Sequence, residues 1–528
     1  MKTVSNIPFL EIESIPKLIK DFLNAEIPGF EEQIFSVENF RKQIEAKQKE
    51  YSTEKRIVLA DALTKQMSAL ELSEKQKSNL ELLQKENTFT VVTGHQLNLF
   101  TGPSFFIYKI LQTIKTAEFI AEKFKDINIV PVFWMATEDH DFDEINHFKT
   151  ENNFYEIKGA SGGAVGRIKV EDQYFISEFE SEFKDSVYGT ELIRWMKEAY
   201  SKGNTLAEAT RILVNRIFSD YGILIVDGDD LDLKALMKDI FREELLQNQL
   251  FESSKEKVEM LSNQYGKVQV NPREINLFYL SETRDRIEFS NNQFQIVDKN
   301  ISFTKEEILT ELENHPEKFS PNALMRPVYQ ENILPNLAYI GGNAEIMYWL
   351  ELQDYFKYLN LKFPVLIPRN SMLFLKEKTL QKAKKLDLKI SDFFENFAQL
   401  IRSKLTDNHE ISALINSKEA ELKASFELMK SKAEITDQSF RNLIEAEETR
   451  QLKSFDRMRK RLLRAEKIKQ QEKLQRIEDL FLDVHPGKNW QERVLNFSVF
   501  YADFGRDWLQ TCYDKMEVRN SELIIMQI

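Results

Sequence analysis

Between residues 369 and 485 the chain contains neither a glycine nor a proline. A stretch of that length has no easy place to turn or stop, and its wealth of Glu, Lys, Gln, Leu and Ala favours helix. Apolar residues recur within it at helical spacing. Ile415, Leu422, Phe426, Met429 and Ala433 form one register, with Glu419 in the slot between the first two. Leu452, Phe455, Met458, Leu462 and Ala465 form a second, which resumes at Leu474, Ile477 and Phe481. A narrow apolar seam on otherwise charged helices is the pattern of a coiled coil. Asp437 is the expected N-cap between the registers. One helix over 438–483 would reach about 70 Å at roughly 1.5 Å per residue, with the chain before Thr436 as its antiparallel mate. The expected organisation is a body over 1–375, a coiled-coil arm over 376–484, and a segment over 485–528 that packs back on the body.

The other residues supply a core of a different kind. With 528 residues, 42% of them hydrophobic, the chain exceeds one ordinary domain and excludes a disordered class. Residues 1–85 carry helical periodicity, and the last 40 or so residues also look helical. Residues 88–93 (TFTVVT) and 127–135 (INIVPVFWM) are apolar runs separated by a loop and a helical stretch, the spacing of a βαβ unit. Residues 221–226 (YGILIV) and 363–367 (FPVLI) have the same design. Continuous apolar runs suit strands buried on both faces of a parallel sheet. The fold class is therefore α/β, with inserted segments near 150–205 and 240–325.

Charge and cysteine content narrow the function. A formal charge of −13 argues against nucleic acid or an anionic membrane as partner. The single Cys512 excludes an intrachain disulfide and a thiolate metal cluster, and it reads as a small buried side chain. Neither a signal-peptide core nor a run of 18 apolar residues is present, so a cytoplasmic location is expected.

In open α/β sheets, ligands bind beyond the carboxyl ends of the strands. The groups placed there are Gly94-His95-Gln96, Glu138-Asp139-His140, Asp227 and Arg369-Asn370-Ser371, and they include two of the six histidines. The loop 94–103 has two glycines, and Pro103 suits the first turn of the next helix, where backbone N–H groups could hold an anion. A turn with a capping role is the simpler alternative. Its spacing matches neither the dinucleotide fingerprint nor the phosphate loop. Residues 138–147 crowd five carboxylates and two histidines, which is costly without a cation or substrate amine among them. Neither an EF-hand loop nor HExxH is present, and a solvated acidic loop is the alternative. Gly341-Gly342 precedes a helix with Glu345 in its first turn, where a carboxylate that complements the helix dipole is the simpler alternative. Arg326 and Arg369 are the local groups able to grip an anion bidentately.

Five ordered stretches resemble a known family: TGHQLNLFTGPSFFIYKI, PVFWMATEDHDFDEINH, TLAEATRILVNRIFSDYG, RPVYQENILPNLAYIGGNAEIMYWLEL and PVLIPRNS are similar to the signatures of the bacillithiol-synthesis cysteine-adding enzymes (BshC). The resemblance implies a Rossmann-like core akin to nucleotidyltransferases and class I aminoacyl-tRNA synthetases, and a coiled coil that makes a homodimer. It also implies addition of L-cysteine to the glucosamine amine of glucosaminyl malate. Joining a carboxylate to an amine is uphill, so ATP and Mg²⁺ are expected to activate the cysteine. His95, Asp139, His140 and Asp143 are the expected catalytic groups. Gly94, Gln96, Asn98, Thr101, Gly102, Glu138, Arg326, Gly341, Gly342, Glu345, Tyr348, Arg369 and Ser371 are the expected substrate- or nucleotide-binding set, and no metal ligand is assigned. Two other readings compete: a metal-dependent hydrolase or nucleotidyltransferase built on the segment around Asp139, and a non-catalytic coiled-coil scaffold.

Overall fold

A computed structural model describes every residue except Ala160, Asp407, Asn408 and Glu434. Two compact units emerge, one of residues 1–11, 15–374 and 490–527, the other of residues 12–14, 375–489 and 528.

The first unit is organised by five parallel strands: β1 (Thr88–His95), β2 (Asn128–Met135), β3 (Leu224–Asp227), β4 (Asn336–Gly341) and β5 (Val365–Pro368). Their spatial order is 3-2-1-4-5, every neighbouring pair parallel. That is the order of a Rossmann sheet, with the switch in direction between β1 and β4. Nearly every strand residue is buried, as continuous apolar runs require. Phe89 and Val91 of β1, Leu337, Ala338 and Ile340 of β4, and Val365 and Ile367 of β5 share one cluster with Phe40, Ile44, Ala117 and Ile120 from helices Val37–Glu50 and Phe105–Lys123.

Around this sheet the structure departs from expectation in three places. Residues 2–8 form a strand, not a helix, antiparallel to Glu522–Gln527, with Ser371–Leu375 on its far side. Their pairing crosses most of the chain, so no local pattern announces it. Strand β4 lies in a segment read only as a Gly-Gly turn. The segment from 277 to 321 folds as a five-stranded antiparallel sheet, whose strands Leu277–Leu280 and Arg284–Ser290 reach the site described below.

In the second unit, helices Glu410–Ala433 and Gln438–Lys469 form the expected hairpin, with Asp437 capping the second by accepting from Phe440 N. Phe426, Ala433 and Ile444 are its buried core, with Leu422 against them. Glu419, the charge in the apolar seam, pairs with Arg459 of the facing helix. The single helix over 438–483 does not form. Gln470 breaks it (φ −105°, ψ 31°), and a separate helix, Gln471–Val484, follows. The break serves packing: Ile477, Leu480 and Val484 are fully buried, and Phe481 meets the rings of Phe393 and Phe397. The first helix is therefore about 48 Å long at roughly 1.5 Å per residue.

One loop of the first unit is held in a costly conformation. Phe100 and Thr101 have positive φ (46° and 67°), each costing about 1–3 kcal/mol, and Gly102 follows at 63°. A Cβ on Gly102 would lie 2.6 Å from Asn98 Cβ, so only glycine fits. The offset is burial of the Phe100 ring, stacked on Phe497 and edged by Phe179, worth about 1.5–3 kcal/mol. Asn496, fully buried, donates to the carbonyls of Phe100 and Gly102. Asn496→Ala removes both bonds and is expected to lower unfolding free energy by about 2–3 kcal/mol. Calorimetry measures this directly, and an unchanged melting temperature would show that the loop holds its shape alone.

Candidate active site

The carboxyl ends of β1, β2 and β4 open into a cavity of about 910 Å³. Strand β1 delivers Gly94 and His95, and the chain after β2 delivers Glu138, Asp139 and His140. Gly342, Glu345 and Tyr348 come from the turn and helix after β4, and Arg369 follows β5. The antiparallel sheet adds Phe278 and Arg284, and Arg493 enters from the 490–527 segment.

Behind the cavity wall lies a buried ammonium. Lys109, on helix Phe105–Lys123, donates to the carbonyl of Gly94 and to Glu345 Oε1 and Oε2 at 2.8 and 2.9 Å. Tyr339 Oη donates to Glu345 Oε2 at 2.5 Å, and Gly342 N donates to Oε1 at 3.1 Å. A quarter of the Glu345 side chain faces the cavity. Burial alone would raise its pKa, but the Lys109 charge and these hydrogen bonds hold it at about 2. Burial, helped by the same ammonium, drops His95 to about 3, so its imidazole is neutral at pH 7. The ring stands edge-on to Phe105 and Phe106, and its Nε2 has no hydrogen-bond partner among the described residues.

Arginines dominate the rest of the lining. Arg369 Nη2 donates to Glu492 at 2.7 Å, while its buried Nε is unpartnered among the described residues. Its guanidinium lies 4.7 Å from the centre of the Phe105 ring, and that of Arg493 lies 5.7 Å from the same ring. Burial and the neighbouring Arg369 charge both lower Arg493's pKa. Arg326 Nη1 donates to Gln330 at 2.9 Å, and its buried Nη2 is likewise unpartnered. Five arginines (273, 284, 326, 369 and 493) thus face three carboxylates, Glu138, Asp139 and Glu345. Of these, Glu138 pairs with Lys234 at 2.5 Å, although burial still raises its pKa.

The acidic segment is divided between building and lining. Asp139 Oδ1 accepts from His140 N at 2.7 Å, and Oδ2 accepts from Gln96 Nε2 at 2.7 Å. Asp141 caps the short helix Phe142–Ile145 by accepting from Glu144 N. Asp143 is exposed on that helix. Among the described residues no group of three or more His, Cys, Asp or Glu side chains is placed to hold a metal ion.

The chain's relatives match this architecture. Residues 4–370 match the family model described as bacillithiol biosynthesis BshC, N-terminal Rossmann-like domain. Residues 372–528 match the BshC C-terminal coiled-coil domain. The chain belongs to the BshC family. A Flavobacterium johnsoniae relative named "Putative cysteine ligase BshC" is 42% identical over 508 residues, covering 95% of each chain. Proteins of the same name from Christiangramia forsetii (39%, 98% of each chain) and Bacillus cereus strain AH187 (26%, 95% of this chain and 96% of the relative) extend the similarity.

In this BshC chain, Gly94, His95, Gln96, Glu138, Asp139, His140, Arg326, Gly342, Glu345, Tyr348 and Arg369 line one cavity. Six other expected site residues do not. Asn98, Thr101 and Gly102 belong to the strained loop whose carbonyls Asn496 holds, and Ser104 N at its end already donates to Leu495 O. Asp143 points from the exposed helix. The carbonyl of Gly341 accepts from Arg369 N, and Ser371 Oγ donates to Glu492 at 2.9 Å. Asp227 is also turned to structural use, accepting from Thr137 Oγ1 and Arg211. Sequence reasoning missed Lys109, Phe105, Arg284 and Arg493. Only Lys109 carried a local signal, as a lone charge inside the apolar run FFIYKIL.

At pH 7, Glu345→Gln leaves the Lys109 ammonium buried without its counter-charge, and is expected to cost about 3 kcal/mol. Because the Glu345 carboxyl is held below its ordinary value, the wild-type advantage is full above about pH 4.5 and fades as pH falls towards 2. Urea melts of both proteins at pH 7 and pH 3 check this, and a gap equal at the two pH values would contradict it.

Proposed function

We propose that this chain is a cysteine ligase of bacillithiol biosynthesis that acts in the cytoplasm and adds L-cysteine to the glucosamine amine of glucosaminyl malate. The observation that carries the reading is the arginine surplus of the cavity, with unpartnered donors on Arg326 and Arg369. A dicarboxylate such as the malate group supplies the opposite charge, and guanidinium forks match carboxylates in geometry. The substrate amine then falls toward Glu138 and Asp139, where negative charge gathers. Asp139, which accepts the backbone N–H groups of His140 and Asp141, is the group assigned to take the amine's proton. Neutral His95 presents an uncharged nitrogen beside the reacting carboxyl.

ATP would supply the activation of the cysteine carboxyl, and the Arg326 and Arg493 guanidinium groups suit its phosphates. Mg²⁺ would enter with the nucleotide, since the described residues offer no acidic cage of their own.

The test is direct. Purified protein with glucosaminyl malate, L-cysteine, ATP and Mg²⁺ is expected to yield a thiol amide detectable by mass spectrometry. No product from folded protein under any nucleotide condition would remove the assignment. Arg493→Gln is expected to raise KM for ATP about tenfold to a hundredfold, the worth of a charged hydrogen bond, with a smaller effect on kcat.

We also propose that the hairpin pairs with a second copy. Leu428 and Leu443, beside its turn, are 62% and 60% exposed, and Ile435 is 89% exposed. Such an apolar group is ordinarily covered by a partner. Ile477 is already buried within its own unit, so Leu428→Lys and Leu443→Lys are the suitable probes. Light scattering should report a wild-type dimer and mutant monomers. A wild-type monomer at tens of micromolar would exclude pairing.

A further inference from the structure

Arg284 meets His140 from the antiparallel sheet, and all three of its nitrogens are engaged. Nε donates to Ser320 Oγ at 2.8 Å, Nη2 donates to the carbonyl of Pro321 at 2.7 Å, and Nη1 lies 3.1 Å from His140 Nδ1. The guanidinium sits 4.0 Å from the centre of the Phe278 ring, which also packs on the imidazole at 5.6 Å. A guanidinium has donors only and keeps its proton in proteins. His140 Nδ1 is therefore the acceptor of this hydrogen bond and carries no hydrogen.

One group competes for that nitrogen. Asp139 Oδ1 lies 3.7 Å from His140 Nδ1, beyond hydrogen-bond range, and it already accepts the backbone N–H groups of His140 and Asp141. Arg284 is closer and, among the described residues, has no other acceptor for Nη1. A neutral imidazole that accepts at Nδ1 carries its hydrogen on Nε2.

We propose that Arg284 is a positioning residue that locks His140 in the Nε2–H tautomer, making it a fixed hydrogen-bond donor to a ligand oxygen in the cavity. The same contact bars His140 from acting as a base. Nε2 has no lone pair to offer, and protonating Nδ1 would set its hydrogen against that of Nη1. This narrows the expected catalytic role of His140 to hydrogen-bond donation. The donor role rests on the cavity being the substrate site, whereas the tautomer does not.

Two measurements on the full chain separate these parts. In protein labelled with ring-¹⁵N histidine, the His140 signals are those missing from His140→Gln. The wild type is expected to show an unprotonated-type Nδ1 and a protonated-type Nε2, and Arg284→Gln to redistribute the proton between them. A protonated Nδ1, or an averaged pair, in the wild type overturns the proposal, even if Arg284→Gln fails to fold. In the ligase assay, His140→Gln keeps an N–H at the Nε position but cannot shuttle a proton. It should lose no more than about tenfold in turnover, while His140→Ala should lose about a hundredfold. Equal losses in the two would restore proton transfer and defeat the donor role. If the wild type itself is inactive, the assignment as a ligase fails, while the ring signals still decide the tautomer.

Discussion

A single buried ammonium holds the two halves of the site together. At the switch point of a Rossmann sheet, the chains leaving β1 and β4 diverge, and the crevice between them binds ligands. Lys109 bridges that crevice from behind, gripping the Gly94 carbonyl at the end of one strand and Glu345 just past the other. Burying an ammonium costs several kcal/mol unless it is paired and hydrogen-bonded. Glu345 and the Gly94 carbonyl meet that condition, so the helix carrying Lys109 can pack apolar residues on both sides of it. Other properties of the cavity follow. His95 stays uncharged beside the ammonium, and Glu345 stays charged although largely enclosed.

The polar residues near the strand ends divide into those that build the rim and those that face the ligand space. Side chains able to reach backbone N–H groups within their own loop are used there: Asp141 caps a helix, and Asp230 caps another by accepting from Asp232 N and Leu233 N. Arg326 and Arg369, whose guanidinium groups carry five N–H donors each, keep donors in reserve. The acidic segment therefore looks more like a metal cage in sequence than it is in space.

How far the sequence speaks depends on how local the cause is. Strands β1, β2, β3 and β5 are legible because burial on both faces demands uninterrupted apolar runs. Strand β4, NLAYIG, opens on a polar Asn and ends in glycine, so it reads as a turn. The kink at Gln470 follows from the rings of Phe393 and Phe397, far back in the chain, and carries no Gly or Pro to betray it. In the site, residues delivered by strand ends are legible from topology alone. Arg284 and Arg493 are not, since each arrives from a segment whose path is set by tertiary packing. Lys109 lies between these cases: the oddity of a lysine in FFIYKIL is visible, but its partner is 236 positions away.

The route of the chain also sets a timetable. Glu492, Arg493 and Asn496 belong to the same unit as the parallel sheet, yet they are synthesised after the entire helical hairpin. Until then Arg369 lacks the carboxylate that holds it, and the strained Phe100 loop lacks the amide that grips its carbonyls. The strand Glu522–Gln527 that pairs with residues 2–8 comes later still. A nascent chain on the ribosome can lay down its sheet early, but it carries an unfinished, cation-rich crevice through the whole translation of the arm. Contacts of such long sequence separation form slowly. A chain released prematurely would thus carry every other lining residue of the cavity but lack Arg493 and the Glu492 carboxylate that holds Arg369.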